Sequence, residues 1–315
     1  MDITIRQLEV FLAVARAGSF RRAAETLHLS QPALSQHVAE LERALGARLL
    51  ERLARHVVPT EAGRVLAEHA TRMFSNLGNA RDAVGEIAGL KRGSLHIGAS
   101  TTPGIYVLPP VIAAFERRYP GIAVSVEIAN STAIEERIRA GELDLGIVGA
   151  HALRPGEECV SAGLIDELVL IVSPAHRWGR RRHVAATRLG EERLLVREEG
   201  SATRQVMERA LQRAGVRLGR VMELGHTEAI KQGVMAGLGI AFVSAHAVRG
   251  ETASGRLHEL RLRELRIRRH FHVIHHDERT LSASARAFIE TFEASQGRAR
   301  AKEKDKSRRL GAPAG

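Results

Sequence analysis

The chain is 315 residues long, enough for about two domains with a real core in each, and its one cysteine, Cys159, excludes an internal disulfide or a thiolate zinc cluster. A net charge of +11 invites a nucleic-acid partner, yet residues 1–90 set eleven arginines against ten carboxylates, while residues 297–315 set seven basic side chains against two acidic ones. A case for DNA therefore rests on motif. The opening residues Met1 to Thr4 lack the basic-then-apolar pattern of an export signal, and no apolar run reaches the ~18 residues of a membrane span. A cytoplasmic protein without membrane contact is expected.

Residues 1–27 read as two helices. Leu8, Phe11, Leu12 and Ala15 recur at helical spacing, Gly18 stops the first helix, and Ser19 is placed to cap a second with the stripe Phe20, Ala23, Ala24 and Leu27. A tight turn at His28, Leu29 and Ser30 leads to a third helix from Gln31 to Leu45, capped by Ser30, with Pro32 in the first turn where proline is tolerated. Leu34, Val38, Leu41 and Leu45 form its buried stripe, which leaves Gln31, Ser35 and Gln36 facing outward. Residues 47–60 fit a short hairpin bearing Arg52 and Arg55, placed to reach phosphate or a minor groove. This pattern suits a helix-turn-helix, whose second helix carries short polar groups to base edges in the major groove. An ordinary three-helix bundle with a polar face fits the periodicity as well.

Thr60 then caps a long helix over 61–89, in which Leu66, Ala70, Met73, Leu77, Ala80, Val84 and Ile87 alternate spacings of four and three. Such a seam predicts self-association; packing against the helix's own domain is the alternative. A break follows at Lys91, Arg92 and Gly93. Beyond it, strands are predicted at 95–99, 123–128, 143–148, 168–173, 193–196, 221–224, 240–243 and 271–275. Helices are predicted at 110–118, 133–140, 203–214, 228–236 and 282–292. The alternation predicts a mostly parallel α/β sheet. A faint echo links residues 140–148 with 236–243: in each, a glycine (Gly141, Gly237) ends a helix ahead of a strand.

The motifs of residues 3–63 closely resemble the DNA-binding domain of LysR-type transcriptional regulators. The match runs through Leu8-Glu9-Val10-Phe11, Ala17-Gly18-Ser19-Phe20, Leu29-Ser30-Gln31-Pro32-Ala33-Leu34-Ser35, Leu49-Leu50-Glu51-Arg52 and Thr60-Glu61-Ala62-Gly63. It departs at Leu50, where phenylalanine is usual, and at Ala54, where a wing glycine is usual. The likeness extends through residue 293, including Pro109, Phe115, Tyr119-Pro120, Gly141 to Leu145 and Ala236 to Ile240. It implies an α/β protein with an all-α winged helix-turn-helix N-terminal domain and a two-lobed sensor like the periplasmic binding proteins. The domains expected are 1–60 for DNA binding, 61–90 for a dimerising helix, 91–293 for the sensor, and 294–315 for a disordered basic tail. Within the sensor, lobe I takes about 91–162 and 269–293, and lobe II about 163–268. The implied partners are double-stranded operator DNA, a small-molecule effector and further copies of the chain, as a homodimer and homotetramer. Ser19, Arg22, Ser30, Gln31, Pro32, Ser35, Gln36, Arg52 and Arg55 form the expected DNA-contacting set. Segments 97–101, 146–150 and 197–204 look like the branch associated with sulfur, selenium or carbon-assimilation genes.

Hydroxyl residues recur where strands give way to helices: Ser100, Thr101 and Thr102; Asn130, Ser131 and Thr132; Ser201 and Thr203; His226 and Thr227. Helix N-termini offer free N–H groups and a positive dipole end, so such loops suit an oxyanion, although each residue is also an ordinary N-cap. The resemblance places the first three loops at the interlobe cleft, making Ser100, Thr101, Thr102, Ser131, Thr132, Ser201 and Thr203 the expected effector site. Two or more helix N-termini pointing inward make that cleft locally positive on this reading, without requiring a buried lysine or arginine. His270, His272 and His276 share one face of a predicted strand, but no carboxylate stands at regular ligand spacing, so a basic strand end at the surface or lobe junction is expected and no metal site. Cys159 reads as a passive thiol. No nucleophile elbow, phosphate loop or dinucleotide fingerprint argues for an enzyme or a cofactor. A solute-binding transport component would share the two lobes but not the helix-turn-helix.

Overall fold

The computed structural model describes residues 3–53, 56–87, 93–149, 157–277 and 280–310, which form two compact units, the first running to Arg81. In that unit α1 (Ile5–Ala17) opens on a reciprocal cap: the Thr4 hydroxyl accepts the Gln7 N–H, and the Gln7 side chain accepts the Thr4 N–H. Helices α2 (Phe20–Leu27) and α3 (Gln31–Leu45) begin at Ser19 and Ser30, whose hydroxyls accept the N–H groups of Arg22 and Ala33. A hairpin of β1 (Leu50–Arg52) and β2 (Val57–Pro59) follows, steadied by the Glu42 carboxylate, which accepts the N–H groups of Leu49 and Leu50 at 2.8 and 3.2 Å. Ala54 and Arg55 lie outside the described residues. At the start of α4 (Glu61–Ile87), a Cβ on Gly63 would sit 2.0 Å from the Leu49 carbonyl oxygen, so the closure of hairpin on helix requires a glycine there.

The expected stripe of α3 is the core of this unit: Leu34, Val38 and Leu41 pack with Val10, Phe11, Val14, Phe20 and Ala23. The seam of α4 is different from the expectation. Leu66, Ala70 and Met73, with Phe74, join the core of their own unit, and Leu77 is 53 % exposed. A heptad period says which face of a helix is apolar but not whose residues cover it. The side chains of Val84 and Ile87 lie outside the described residues.

The second unit is an α/β structure on one long, mixed sheet. In chain order its elements are β3 (Gly93–Ser100), α5 (Thr101–Tyr106), α6 (Leu108–Arg118), β4 (Ile122–Ala129), α7 (Ser131–Arg139), β5 (Leu145–Gly149) and β6 (Glu158–Val172). There follow β7 (His183–Val184), β8 (Leu194–Val196), α8 (Ala202–Arg213), β9 (Val221–Glu223), α9 (Thr227–Met235) and β10 (Ile240–Ser244). The last are α10 (Arg249–Ala253), β11 (His258–Leu262), β12 (Ile267–His275) and α11 (Ala283–Leu310). The strand order is β4-β3-β5-β12-β6-β10-β8-β9, with β11 beside β6 and β7.

Two lobes share this plan. In lobe I, β3 lies between β4 and β5, all parallel, with β12 antiparallel at the margin; in lobe II, β8 lies between β9 and β10, all parallel, with β6 antiparallel at the margin. The echo in the sequence falls on β5 and β10, the equivalent third strands, and Gly141 and Gly237 both take positive φ, +68° and +80°. β6 and β12 pair with each other from Leu168↔Ile267 to Glu158↔His275 and so run through both lobes. Each lobe has apolar packing on both faces of its sheet, which is why its central strands are apolar throughout.

The strand predicted at 168–173 begins ten residues earlier than expected. Its first part, with Asp166 and Glu167, carries no apolar run and pairs with β12 where the two strands cross between lobes. The segment read as a disordered tail is helical through Leu310, an extension of α11, which packs Ala285, Phe288 and Phe292 against lobe I. The helix is nucleated there by packing, and the alanine, lysine, glutamate and arginine beyond it propagate it without a core of their own. Among the described residues no helix is long and apolar enough to cross a membrane.

Candidate functional site

In the first unit α3 presents Gln31, Pro32 and Gln36 to solvent, with Ser35 half-buried beside them. The Gln36 amide donates to Glu40 at 3.0 Å, which leaves Gln31 the less committed of the two. Ser30 and Arg22 are exposed, and Ser19 is half-buried as the cap of α2. Arg52 ends β1; Arg55 lies outside the described residues.

In the second unit the parallel strands of both lobes end on one cleft. Ser100–Thr102 follow β3, Asn130–Ser131 follow β4, and Arg197 to Thr203 follow β8, so helices α5, α7 and α8 begin at its edge. Its lining is Ser100, Thr101, Thr102, Asn130, Ser131, Arg197, Ser201, Ala202, Thr203 and Arg269, around a volume of about 190 Å³. Ligands of open α/β sheets bind at such carboxyl edges.

Of the seven expected residues six line the cleft. The seventh, Thr132, is turned away: its N–H and hydroxyl both go to the Gly200 carbonyl at 3.3 Å, tying α7 to the loop before α8. Ser100 and Ser201 stand at N-cap positions but make no cap bond with their side chains, whereas Asn130 caps through the Ala133 N–H at 3.0 Å. In the fourth loop His226 is a cap, accepting the Glu228 N–H, and Thr227 faces Arg197.

Two buried arginines, which the sequence reading did not require, stand beside the helix ends. Arg197 and Arg269, both 5 % exposed, line the cleft. Arg197 donates to Thr227 at 2.8 Å, to Thr101 across the cleft at 3.1 Å, and with both prongs of its fork to Glu198 at 2.7 Å. Arg269 donates to Asp166 at 2.8 Å, to Thr203 of lobe II at 3.0 Å and to Thr102 of lobe I at 3.3 Å. Ser244 donates to the other Asp166 oxygen at 2.5 Å. Sequence reading assigned these charges no role. Alternation was the available signal: Arg269 falls in step with the buried Ile267, Phe271 and Val273, and Asp166 with Leu168, while Ile165 points out.

A second link crosses the cleft. Tyr106 of α5 donates to Glu228 of α9, which also accepts from the buried Lys231 at 2.7 Å; Lys231 reaches Glu251 at 2.9 Å. Burial pushes the Tyr106 phenol well above its usual range, and the carboxylate beside it adds to this. Burial works against the charge on Glu228 too, but the bonds from Lys231 and Tyr106 outweigh it and hold that pKa below the ordinary value.

Only part of the histidine set lies on one outer face: alternation holds through Val273, with His270 exposed and His272 half-buried, and ends at the register shift between Val273 and Ile274. His270 stays exposed, whereas His275 and His276 are buried beside Glu158 and Asp277. Burial holds the His275 pKa below its ordinary value, against the pull of Glu158. The half-buried Cys159 lies 3.5 Å from His272 Nδ1.

A helix-turn-helix with a polar face, and a two-lobed α/β unit with a small cationic cleft, define a DNA-binding regulator that senses a small molecule. The helix-turn-helix model of the lysR family of bacterial regulatory proteins matches residues 5–64, and the LysR substrate binding domain matches residues 88–296. The chain is similar to the RuBisCO operon transcriptional regulator of Allochromatium vinosum, 37 % identical over 92 % of this chain and 95 % of that protein. Among solved structures it resembles the regulatory domain of Synechocystis PCC6803 CcmR in complex with 2-PG, with a TM-score of 0.61 at 31 % identity, over 65 % of this chain and 98 % of that one. It also resembles full-length CbnR complexed with its target DNA, with a TM-score of 0.67 at 26 % identity, over 93 % and 99 %. The chain belongs to the LysR family of transcriptional regulators, on the carbon-assimilation side of the branch expected from the sequence, and its family and relatives are regulators rather than enzymes.

Proposed function

We propose that this regulator reads operator DNA with the exposed face of α3 and is switched by a small anion bound in the interlobe cleft. The observation that carries the second half is the convergence of two guanidinium groups and the hydroxyls of Ser100, Thr102, Ser131, Ser201 and Thr203 on one cleft of about 190 Å³. Charge-assisted bonds from arginine and N–H groups at helix starts both favour a carboxylate or phosphate. The 2-PG in the CcmR regulatory domain and the RuBisCO operon regulator among the relatives support an anionic metabolite and genes of carbon fixation. The ligand acts by its differential affinity for two lobe arrangements, which Arg197, Arg269 and Thr132 are placed to distinguish because their bonds cross between lobes. Calorimetric titration of the full-length protein with 2-PG and with inorganic phosphate tests this. Saturable binding lost on Ser100→Ala with Thr203→Ala supports it; unchanged binding by that double variant refutes the assigned site.

The DNA-facing set is Ser19, Arg22, Ser30, Gln31, Pro32, Ser35, Gln36, Arg52 and Arg55, with the bound DNA of CbnR as the supporting parallel. Gln31→Ala is expected to cost about 1–3 kcal/mol of specific binding and to relax base preference at one position. Gel shifts at matched salt on DNA upstream of the protein's own gene measure this, and wild-type binding by the variant rules out that face.

The regulator works in the cytoplasm as a homodimer, paired further into a homotetramer. Leu77 and Val65 on α4, 53 % and 51 % exposed, are the apolar groups offered to a partner helix. The edge strands β4 and β9, at opposite ends of the sheet, expose Val126 and Ile128 on one and Val221 on the other, two further edges for self-association. Leu77→Glu would set a charge into the helix interface and is expected to dissociate the dimer, read as a halved mass by light scattering at micromolar concentration. An unchanged mass means that the dimer is held elsewhere.

A further inference from the structure

The two arginines of the cleft have carboxylate partners of different kinds. Asp166 is fully buried, and both of its oxygens are engaged, one by Arg269 and one by Ser244. It is part of the wall. Glu198 stands next to Arg197 on the loop entering α8, its side chain 22 % exposed, and both of its oxygens lie on the Arg197 fork. With Thr101 and Thr227, it takes bonds from all three nitrogens of that guanidinium. An anion arriving in the cleft therefore finds the two-pronged face of Arg197 already occupied. Asp166 has no route to water, so its release would leave a buried charge unpaired. Glu198 is partly exposed, and turning it outward exchanges its ion pair for hydration, a small change.

We propose that Glu198 is a built-in stand-in for the anionic group of the effector: it holds the Arg197 fork in the empty protein and is displaced when ligand binds. This rests on the reading of the cleft as the effector site. A tethered carboxylate beside its cation competes at high effective concentration, so it lowers the apparent affinity of every ligand that uses that fork. It also sets selectivity. A ligand offering one carboxylate replaces like with like and gains little. One that in addition engages Thr102, Ser131 and Ser201 outcompetes Glu198. The residue thus raises the concentration at which the regulator responds and rejects simple monoanions.

The sign of one substitution separates this role from its opposite. If Glu198 competes, a neutral side chain there tightens binding; if it only orients Arg197 for the ligand, the same change weakens binding. Glu198→Gln and Glu198→Ala in the full-length protein are expected to bind 2-PG roughly two- to fivefold more tightly than wild type, the range for losing a partly exposed ion pair. Glu198→Asp, which keeps the charge, should stay nearer to wild type. Calorimetric titration with 2-PG and inorganic phosphate reads this, with thermal denaturation confirming that each variant is folded. Equal or weaker binding by both neutral variants, with wild type still binding, overturns the proposal and leaves the cleft reading intact. No binding of either anion by wild type or variants removes the cleft reading and this proposal with it.

Discussion

Asp166→Ala is expected to lower the unfolding free energy of the sensor unit by about 3–5 kcal/mol, the cost of stranding one member of a buried ion pair. The carboxylate is fully buried and the Arg269 side chain nearly so, at 0 % and 3 % exposure. Without Asp166 the guanidinium keeps only the neutral oxygens of Thr102 and Thr203, and Ser244 loses its acceptor. Asp166→Ala combined with Arg269→Met is expected to recover much of the loss, because an apolar replacement of both charges leaves nothing buried and unpaired. Trp178, the chain's one tryptophan, is fully buried in the lobe II core, so its fluorescence reports unfolding of that lobe in urea. A single variant costing under about 1 kcal/mol, or a double variant costing more than the single, contradicts the pairing.

Arg197→Met should have the largest effect on ligand affinity, about a hundredfold or more, which corresponds to ~2.7 kcal/mol. Arg197 is the cation whose counter-charge is displaceable, and from lobe II it bonds Thr101 of lobe I. Methionine keeps the bulk of the stem and removes every donor. Unliganded operator binding should persist, because the helix-turn-helix lies in the other compact unit. A ligand affinity within threefold of wild type would move the anion elsewhere.

The first unit was legible because its signals are local. Ser19, Ser30 and Thr60 cap where capping chemistry requires, and the stripe of Leu34, Val38 and Leu41 is set by helical period. The hydroxyl loops were legible for the same reason: they sit at strand-to-helix changes, and those changes converge at one sheet edge. Reading failed where a residue's fate depends on distant chain. Leu66, Ala70 and Met73 follow an intersubunit period yet are covered by α1 to α3. Arg269 and Asp166, 103 residues apart, stand as charges in the sequence and are buried only because each is the other's partner. The first ten residues of β6 looked like loop because a strand that crosses between lobes has no continuous apolar face to show.

The central claim is that the cleft holds a small anion. A thermal-shift screen of the full-length protein against small metabolites of all charge types tests it most directly, since a ligand bound only to the folded state raises the midpoint by mass action. The account predicts that every stabilising compound carries a carboxylate or phosphate and that the stabilisation disappears in Arg197→Met. Stabilisation by neutral or cationic compounds alone, or a full shift retained by that variant, would contradict it.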